Sequence, residues 1–584
     1  MLKTRTVWGI TIIAVLLCSV CLADIIVTTK SGDVDGTRIR VLGRFVNQFY
    51  GIPYAKPPVG ELRFQKPQPP DAWSITLITQ RPPASCIQRS NLPVQTEVYR
   101  QNPTTFSEDC LYLNMWVPVN DAMKATVIYI HGGGFDRGSA IYELTEGKYM
   151  AAENNVIVVT INYRLGPLGF AYLGPDTIPG NMGLWDQQMA LTWIKDNIAS
   201  FGGDPSEIAI FGQGTGAACV GFHLLSPGSW GLFDFAILQS GSPTAYWSHT
   251  DTATARYNAL KLAELNGCPS ATDEDLFNCF KNTDIQTLVD SQAMIMSRGY
   301  PFVPVIDGLF LPDSPTAILK SGNHKNTSII VGVMEDESTL FMNPIVAEML
   351  SPTPVPDSLT LTEPEYESIL QIIFNASDIT QFKRNLTMYY ESLETPGVTV
   401  DYVSLLNRLW SDVDYKCPVI DFLHYYSAIN PTYLYNFMHR ITVSPLPTWV
   451  GATHTYEQES VFGLTLDSSN GFTDDEKTLS RRVMTYWTNL PKSGQPNQPD
   501  SVPVTWPQYS VNKRHMKLET VSLSTVQGLR YHQCFFIREF LPLFAKQIIF
   551  IERPPPSEAA PMNGSMVSLL VGILVVRFLL HRGL

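Results

Sequence analysis

The sequence predicts an α/β fold in which a large, mainly parallel central sheet carries helices on both faces. Three observations lead there. Short apolar runs recur at residues 126–130, 156–162, 235–239 and 329–333, and a further one opens at Ile208. They are continuous rather than alternating, as expected of strands buried on both faces. Helical patterns separate them, and strands alternating with helices imply parallel pairing. No linker divides residues 24–545, so this stretch reads as one large domain.

The elements follow in order. Residues 1–23 carry Lys3 and Arg5, then an apolar run, then Cys21-Leu22-Ala23. This reads as a secretory signal peptide. Residues 26–29 and 38–42 suggest an opening hairpin. Residues 126–130 form a strand that runs into His131-Gly132-Gly133-Gly134-Phe135, and residues 156–162 form the next. Residues 183–201 read as an amphipathic helix with Leu184, Met189, Leu191, Trp193 and Ile194 on its apolar side, stopped by Gly202-Gly203-Asp204-Pro205. The strand from Ile208 leads into Gly212-Gln213-Gly214-Thr215-Gly216 and a second helix.

The far end is different in kind. Residues 546–565 are proline-rich and read as a stalk, and residues 566–584 form a greasy tail interrupted by Arg577. A spanning helix needs about 20 apolar residues. A GPI signal needs small residues, a polar spacer and a tail of about 10–20 residues. The tail is read as a GPI signal, with Ser557 as the attachment residue and Asn563-Gly564-Ser565 as the alternative site, as a short membrane anchor, or as an uncleaved tail.

Composition narrows the function class. The net charge is −13, which argues against nucleic acid, whose binding needs basic surface. No cofactor or metal is called for. Of nine cysteines, Cys18 and Cys21 leave with the signal, and the remaining odd number sits in an oxidising compartment. Cys219, inside a helix expected to be buried, is the expected free thiol. Cys268 and Cys279 are close enough to close a small loop. Asn326, Asn375 and Asn385 head Asn-x-Ser/Thr sequons, candidate glycosylation sites on a secreted surface.

The chemistry concentrates at Gly214. A strand, a sharp turn and a helix with the pattern Gly-x-Ser-x-Gly form a nucleophile elbow. Here both flanking glycines are present, and the apex is Gly214. A glycine loop after a strand, at Gly132, Gly133 and Gly134, suits an oxyanion hole, because backbone amides can approach a substrate oxygen there. The Thr215 amide is the further donor. The acidic run Glu335-Asp336-Glu337, just past a strand, holds the candidate acid, and His454 is the candidate base. Their chain order matches nucleophile, acid, histidine.

Several collinear blocks carry a resemblance. They include Phe49-Tyr-Gly-Ile-Pro-Tyr-Ala-Lys-Pro-Pro58, Ser107-Glu-Asp-Cys-Leu-Tyr-Leu-Asn114, Asn162-Tyr-Arg-Leu-Gly166, Gly180-Asn-Met-Gly-Leu-Trp-Asp-Gln187 and Phe201-Gly-Gly-Asp-Pro205. Over about residues 25–540 the chain resembles the type-B carboxylesterase and cholinesterase family, most of all its cholinesterase branch. The resemblance implies the α/β-hydrolase fold and the triad positions Gly214, Glu337 and His454. It implies the disulfides Cys86–Cys110, Cys268–Cys279 and Cys417–Cys534, and ion pairs Arg63–Glu108 and Arg164–Asp186. It also implies a ligand gorge that includes Tyr99, Trp247, Arg298, Tyr300 and Phe341, and a homodimer through C-terminal helices.

The departures shape the functional expectation. The family elbow reads Gly-Glu-Ser-Ala-Gly, and here Gln213, Gly214 and Thr215 replace its centre. Near the family's choline-stacking tryptophan stand Tyr99 and Arg100, and a guanidinium repels a cation. Arg298 falls in the acyl pocket, and Leu340 at a gorge position. The expectation is a catalytically impaired or inactive cholinesterase-like protein on the extracellular face of the plasma membrane. Its role is adhesion, recognition or ligand binding, through a cell-surface protein partner or a small hydrophobic or ester ligand. The alternative is an active carboxylic ester hydrolase with an atypical elbow.

Overall fold

A computed structural model describes residues 25–89, 105–269, 272–295, 300–350, 355–374, 380–393 and 399–540. The signal segment, stalk and tail lie outside them, as do Tyr99, Arg100, Arg298 and Asn375. Among the described residues no helix is long and apolar enough to cross a membrane.

One sheet organises the chain. Its strands along the main path are β1 (Ile25–Thr29), β2 (Gly32–Val41), β3 (Arg44–Pro53), β4 (Tyr112–Pro118), β5 (Lys124–Ile130), β6 (Ile157–Ile161), β7 (Gly203–Gln213), β8 (Phe235–Gln239), β9 (Ile329–Met334), β10 (Thr432–Phe437), β11 (Arg514–Leu518) and β12 (Ser524–Gln527). They lie in the order β1-β2-β3-β4-β6-β5-β7-β8-β9-β10-β11-β12. From β6 through β11 every pairing is parallel, and the pairings outside that block are antiparallel. This is the α/β-hydrolase fold read from the sequence.

The apolar runs are continuous because both faces are covered. Every residue of β5, β6, β9 and β10 is buried. Alternate residues go to opposite cores. On one face Ile128, Val159, Ile210, Leu238 and Val331 pack with Leu184, Leu191, Val220 and Leu224 from helices. On the other, Val127, Val158, Phe211, Ile237 and Ile330 meet Leu479, Val483, Trp487 and Leu490 of the helix Asp474–Ser493. Those four recur at helical spacing, so they form one stripe. A capping box between Thr473 and Glu476 starts that helix.

A helical segment follows β9 and has its own core. Its helices are Thr339–Leu350, Glu363–Phe374, Thr380–Glu391 and Tyr402–Ser411. Met342, Tyr366, Leu386, Leu405 and Leu409 are among the buried side chains they share.

Three expectations are corrected. The hairpin partner of β1 is residues 32–36, not 38–42; the latter half of β2 pairs with β3 instead, because one long strand serves two neighbours. The helix expected at 183–201 spans Met182–Asn197 and closes with a single 3-10 turn, Ile198–Phe201. It is not amphipathic, since Asp186 and Gln187 are buried with its apolar residues. Gly203, Asp204 and Pro205 already belong to β7, which is irregular between Gly203 and Ile208.

Three disulfides join Cys86–Cys110, Cys268–Cys279 and Cys417–Cys534, and Cys219 is a buried free thiol. Burial pushes the Cys219 thiol up to about 12, so it stays protonated and inert. Arg63 bonds both carboxylate oxygens of Glu108, and Arg164 does the same to a fully buried Asp186. Asn326 is exposed. Asn385 is 8% exposed, so a glycan there must displace its packing.

Candidate functional site

The site lies beyond the carboxyl ends of β5, β7, β9 and β10, where ligands bind in parallel α/β sheets. Strand β7 ends at Gln213, Gly214 turns the chain, and the helix Thr215–Leu225 begins at once. The apex has φ 58° and ψ −120°, a conformation open to glycine and strained for other residues. Its neighbours hold it there by contact. A Cβ on Gly212 would lie 2.5 Å from the Gly216 carbonyl, one on Gly216 would lie 2.1 Å from the Ile130 oxygen, and one on Gly241 would lie 2.1 Å from the Gly214 oxygen. A Cβ on Gly214 itself meets nothing nearer than His454 Nε2, at 3.1 Å.

Two loops deliver the acid and the base. Glu337 follows β9 and His454 follows β10. A short parallel bridge between Asp336 and Thr453 binds the loops together. The Asp336 amide donates to the Ala452 carbonyl at 3.0 Å, and the Ala452 amide donates to Asp336 Oδ2 at 2.9 Å. Glu337 is fully buried and accepts from the Met334 amide at 2.8 Å. Its other oxygen lies 2.6 Å from His454 Nδ1. That carboxylate fixes the tautomer with the proton on Nδ1, so Nε2 is an acceptor. The Gln213 side-chain amide lies 2.9 Å away and donates to it. The His454 ring also packs against Tyr415 and Phe341, at 4.8 and 5.5 Å between centroids.

The glycine loop follows β5. Gly133 and Gly134 border the cavity at the elbow. The Gly134 amide donates to Thr215 Oγ1 at 3.1 Å. Tyr300 packs against Gly134, leaving no room for a side chain there. His131, beneath the loop, stacks on Tyr163 at 4.3 Å, and burial pulls its imidazole down to about 4.

A cavity of about 340 Å³ opens beside these groups. Gln213, Gly214, Thr215 and His454 contribute to it, and Trp247, Tyr246, Tyr300, Leu340 and Phe341 line it. Trp410, Asp414 and Tyr415 reach it from the helix Tyr402–Ser411 and the turn after it. Asp414 Oδ2 accepts from Trp410 Nε1 at 2.7 Å and from the Tyr246 hydroxyl at 3.1 Å.

The structure thus brings Gly133, Gly134, Gly214, Thr215, Glu337, His454, Trp247, Tyr300 and Phe341 into one place. Sequence reasoning missed Trp410, Asp414 and Tyr415. It also missed Glu457, which is fully buried and bonded at 3.3 Å by Gln239 Nε2. Burial, then the nearby Glu337 carboxylate, pushes Glu457 up to about 8. The spacing of Glu457 three residues after His454 was a signal in hindsight only, since its stretch reads as polar loop. Chemically, the site holds an imidazole oriented by a carboxylate beside an aromatic-walled cavity, and Gly214 brings no nucleophilic atom to it.

Comparison with known proteins agrees with this architecture. The carboxylesterase family model matches residues 23–537. The chain is 37% identical over 540 residues to an acetylcholinesterase of Bungarus fasciatus, covering 88% of this chain and 86% of that one. It is 38% identical over 531 residues to a cholinesterase of Mus musculus, covering 89% and 87%. An acetylcholinesterase of Danio rerio is 35% identical over 566 residues, covering 89% and 88%. The disulfides and these relatives point to the secretory pathway. The chain belongs to the carboxylesterase family, in its cholinesterase branch.

Proposed function

We propose that this protein is a non-catalytic, cholinesterase-like cell-surface protein that acts by adhesion, recognition or ligand binding. The observation that carries the reading is the elbow apex. Gly214 takes the place of a nucleophile, with its missing Cβ aimed at His454 Nε2, and has no hydroxyl to give. Without a nucleophile no acyl-enzyme forms, and triad members act as a unit. The neighbouring hydroxyl does not substitute for it. Thr215 Oγ1 is engaged with the Gly134 amide rather than with His454.

The cavity remains large enough for a small ligand, within the roughly 300–1,000 Å³ typical of such sites. Its aromatic walls suit a hydrophobic or ester-like molecule. The membrane anchorage expected of the tail fits a role at the cell surface.

The test is a fluorophosphonate probe on the purified, unmodified ectodomain. The expected result is no labelling at the elbow beyond a heat-denatured control. Stoichiometric labelling would overturn the reading in favour of a working ester hydrolase. Aggregation of cells expressing the protein supports adhesion. A thermal shift with a hydrophobic ester supports ligand binding.

A further inference from the structure

The residues on either side of the apex do something that a missing serine does not require. Gln213 donates a side-chain amide proton to His454 Nε2 at 2.9 Å. Thr215 Oγ1 accepts the Gly134 amide proton at 3.1 Å. Both residues are buried, at 2% and 5% exposure, and both border the cavity beside His454. In a hydrolase, the first place belongs to the serine hydroxyl and the second to the substrate oxygen.

We propose that Gln213 and Thr215 occupy the site from within. Gln213 holds the donor place at the base, and Thr215 holds the acceptor place in the glycine loop. Restoring a serine at the apex alone therefore leaves the site blocked. The proposal rests on the non-catalytic reading and extends it to a mechanism of closure.

Hydrogen-bond capacity carries the argument. With its proton on Nδ1, the imidazole offers one lone pair at Nε2. The Gln213 amide and a serine hydroxyl cannot both donate to it in line. The Gly134 amide likewise has one proton, and Thr215 Oγ1 holds it. The family's elbow residues at these positions, Glu and Ala, lack the corresponding groups. An ionised Glu cannot donate to Nε2, and Ala cannot accept from Gly134. The two bonds thus arise from the same residues that depart from the family pattern beside Gly214.

The test compares four full-length proteins with a fluorescent fluorophosphonate: Gly214→Ser alone, with Thr215→Ala, with Gln213→Glu, and with both. In the labelling step the serine Oγ–P bond forms, the P–F bond breaks, fluoride leaves, and the hydroxyl proton passes to His454. Losing one oxyanion donor slows such sites by about 100- to 1,000-fold. The triple variant is therefore expected to label at least about 100-fold faster than Gly214→Ser, with each double variant in between. Equal rates for the single and triple variants overturn the proposal, as does a folded triple variant that does not label. Labelling of the unmodified chain would instead sink the non-catalytic reading, and leaves the ratio among serine variants intact.

A second measurement needs no serine and is insensitive to strain at the apex. Diethyl pyrocarbonate attacks an imidazole nitrogen that has an available lone pair. In Gln213→Ala, carbethoxylation of His454, mapped by mass spectrometry, is expected to run several-fold faster than in the unmodified chain. An unchanged rate overturns the role given to Gln213.

Discussion

His454 Nδ1 and Glu337 Oε2 lie 2.6 Å apart although their residues are 117 positions apart in sequence. Both side chains are buried, and neither faces a nucleophile. The pair is therefore a structural element whose removal can be measured without any activity assay. Breaking a buried pair leaves an uncompensated polar group behind. His454→Ala is expected to lower stability by about 3 kcal/mol. The combined His454→Ala and Glu337→Gln change should cost clearly less than the sum of the single changes. Denaturant unfolding of the four proteins checks this, and additive values would show that the two side chains do not interact.

Gly216 and the apex are predicted to resist substitution for different physical reasons. A Cβ there stands 2.1 Å from the Ile130 oxygen and 2.8 Å from the His131 backbone, so the helix must lift off β5. Gly216→Ala should cost about 1–3 kcal/mol or more, as overpacking does. Gly214→Ser should cost about 1–3 kcal/mol for a different reason, the backbone strain at φ 58°. Melting temperatures separate the two from the unmodified chain. A Gly216→Ala protein as stable as the parent would contradict the close approach.

Glu457 makes stability fall with rising pH. Its folded value is pushed up to about 8 against an ordinary 4.5. Between those values the folded state holds a proton that the unfolded state has lost. Its stabilising contribution is therefore present below pH 4.5 and is lost as pH climbs through 8. Glu457→Gln removes this dependence. Relative to the parent, the variant should gain on the order of 3 kcal/mol between pH 5 and pH 8. Urea unfolding at both pH values is the check, and parallel curves for the two proteins would refute it.

The disulfide Cys417–Cys534 spans 117 positions and ties the last described helical turns to the helix Cys417–Tyr426. Replacing both cysteines by Ala should lower stability by about 2–5 kcal/mol. The loss should show first as faster proteolysis near residue 534. Cleavage at other sites before this one would argue that the bridge does not secure the C-terminal segment.

The legible parts of the molecule were those set by local pattern. The glycines at 212, 214 and 216 announced a turn, and the apolar run before them announced a buried strand. Glu337 and His454 were legible only through their order along the chain together with the family resemblance, since order alone does not separate Glu337 from Glu335 and Asp336. What stayed hidden depends on where a side chain points after folding. Gln213 reads as a polar residue in a turn, and only the closure of β10 against β9 brings His454 to it. Glu457 lies among Thr455, Tyr456, Gln458 and Glu459, a stretch that reads as exposed yet is buried throughout. Asp414 and Tyr415 come from the helical segment, whose position over the site no local pattern encodes. The partners of β2 were misjudged because ten strand residues serve two neighbours in succession.

The three glycines of the elbow, and Gly241 packed against it, differ in what forbids change. At 212, 216 and 241 a side chain would collide with main-chain atoms, so the turn is cast by the surrounding backbone like metal in a mould. At 214 the neighbour is one imidazole, and no main-chain atom stands in the way. The position where a nucleophile would stand is therefore the one whose side chain the surrounding main chain crowds least. The turn that would present a nucleophile and the space that would receive it are thus separate features: backbone contacts shape the first, and a side chain borders the second.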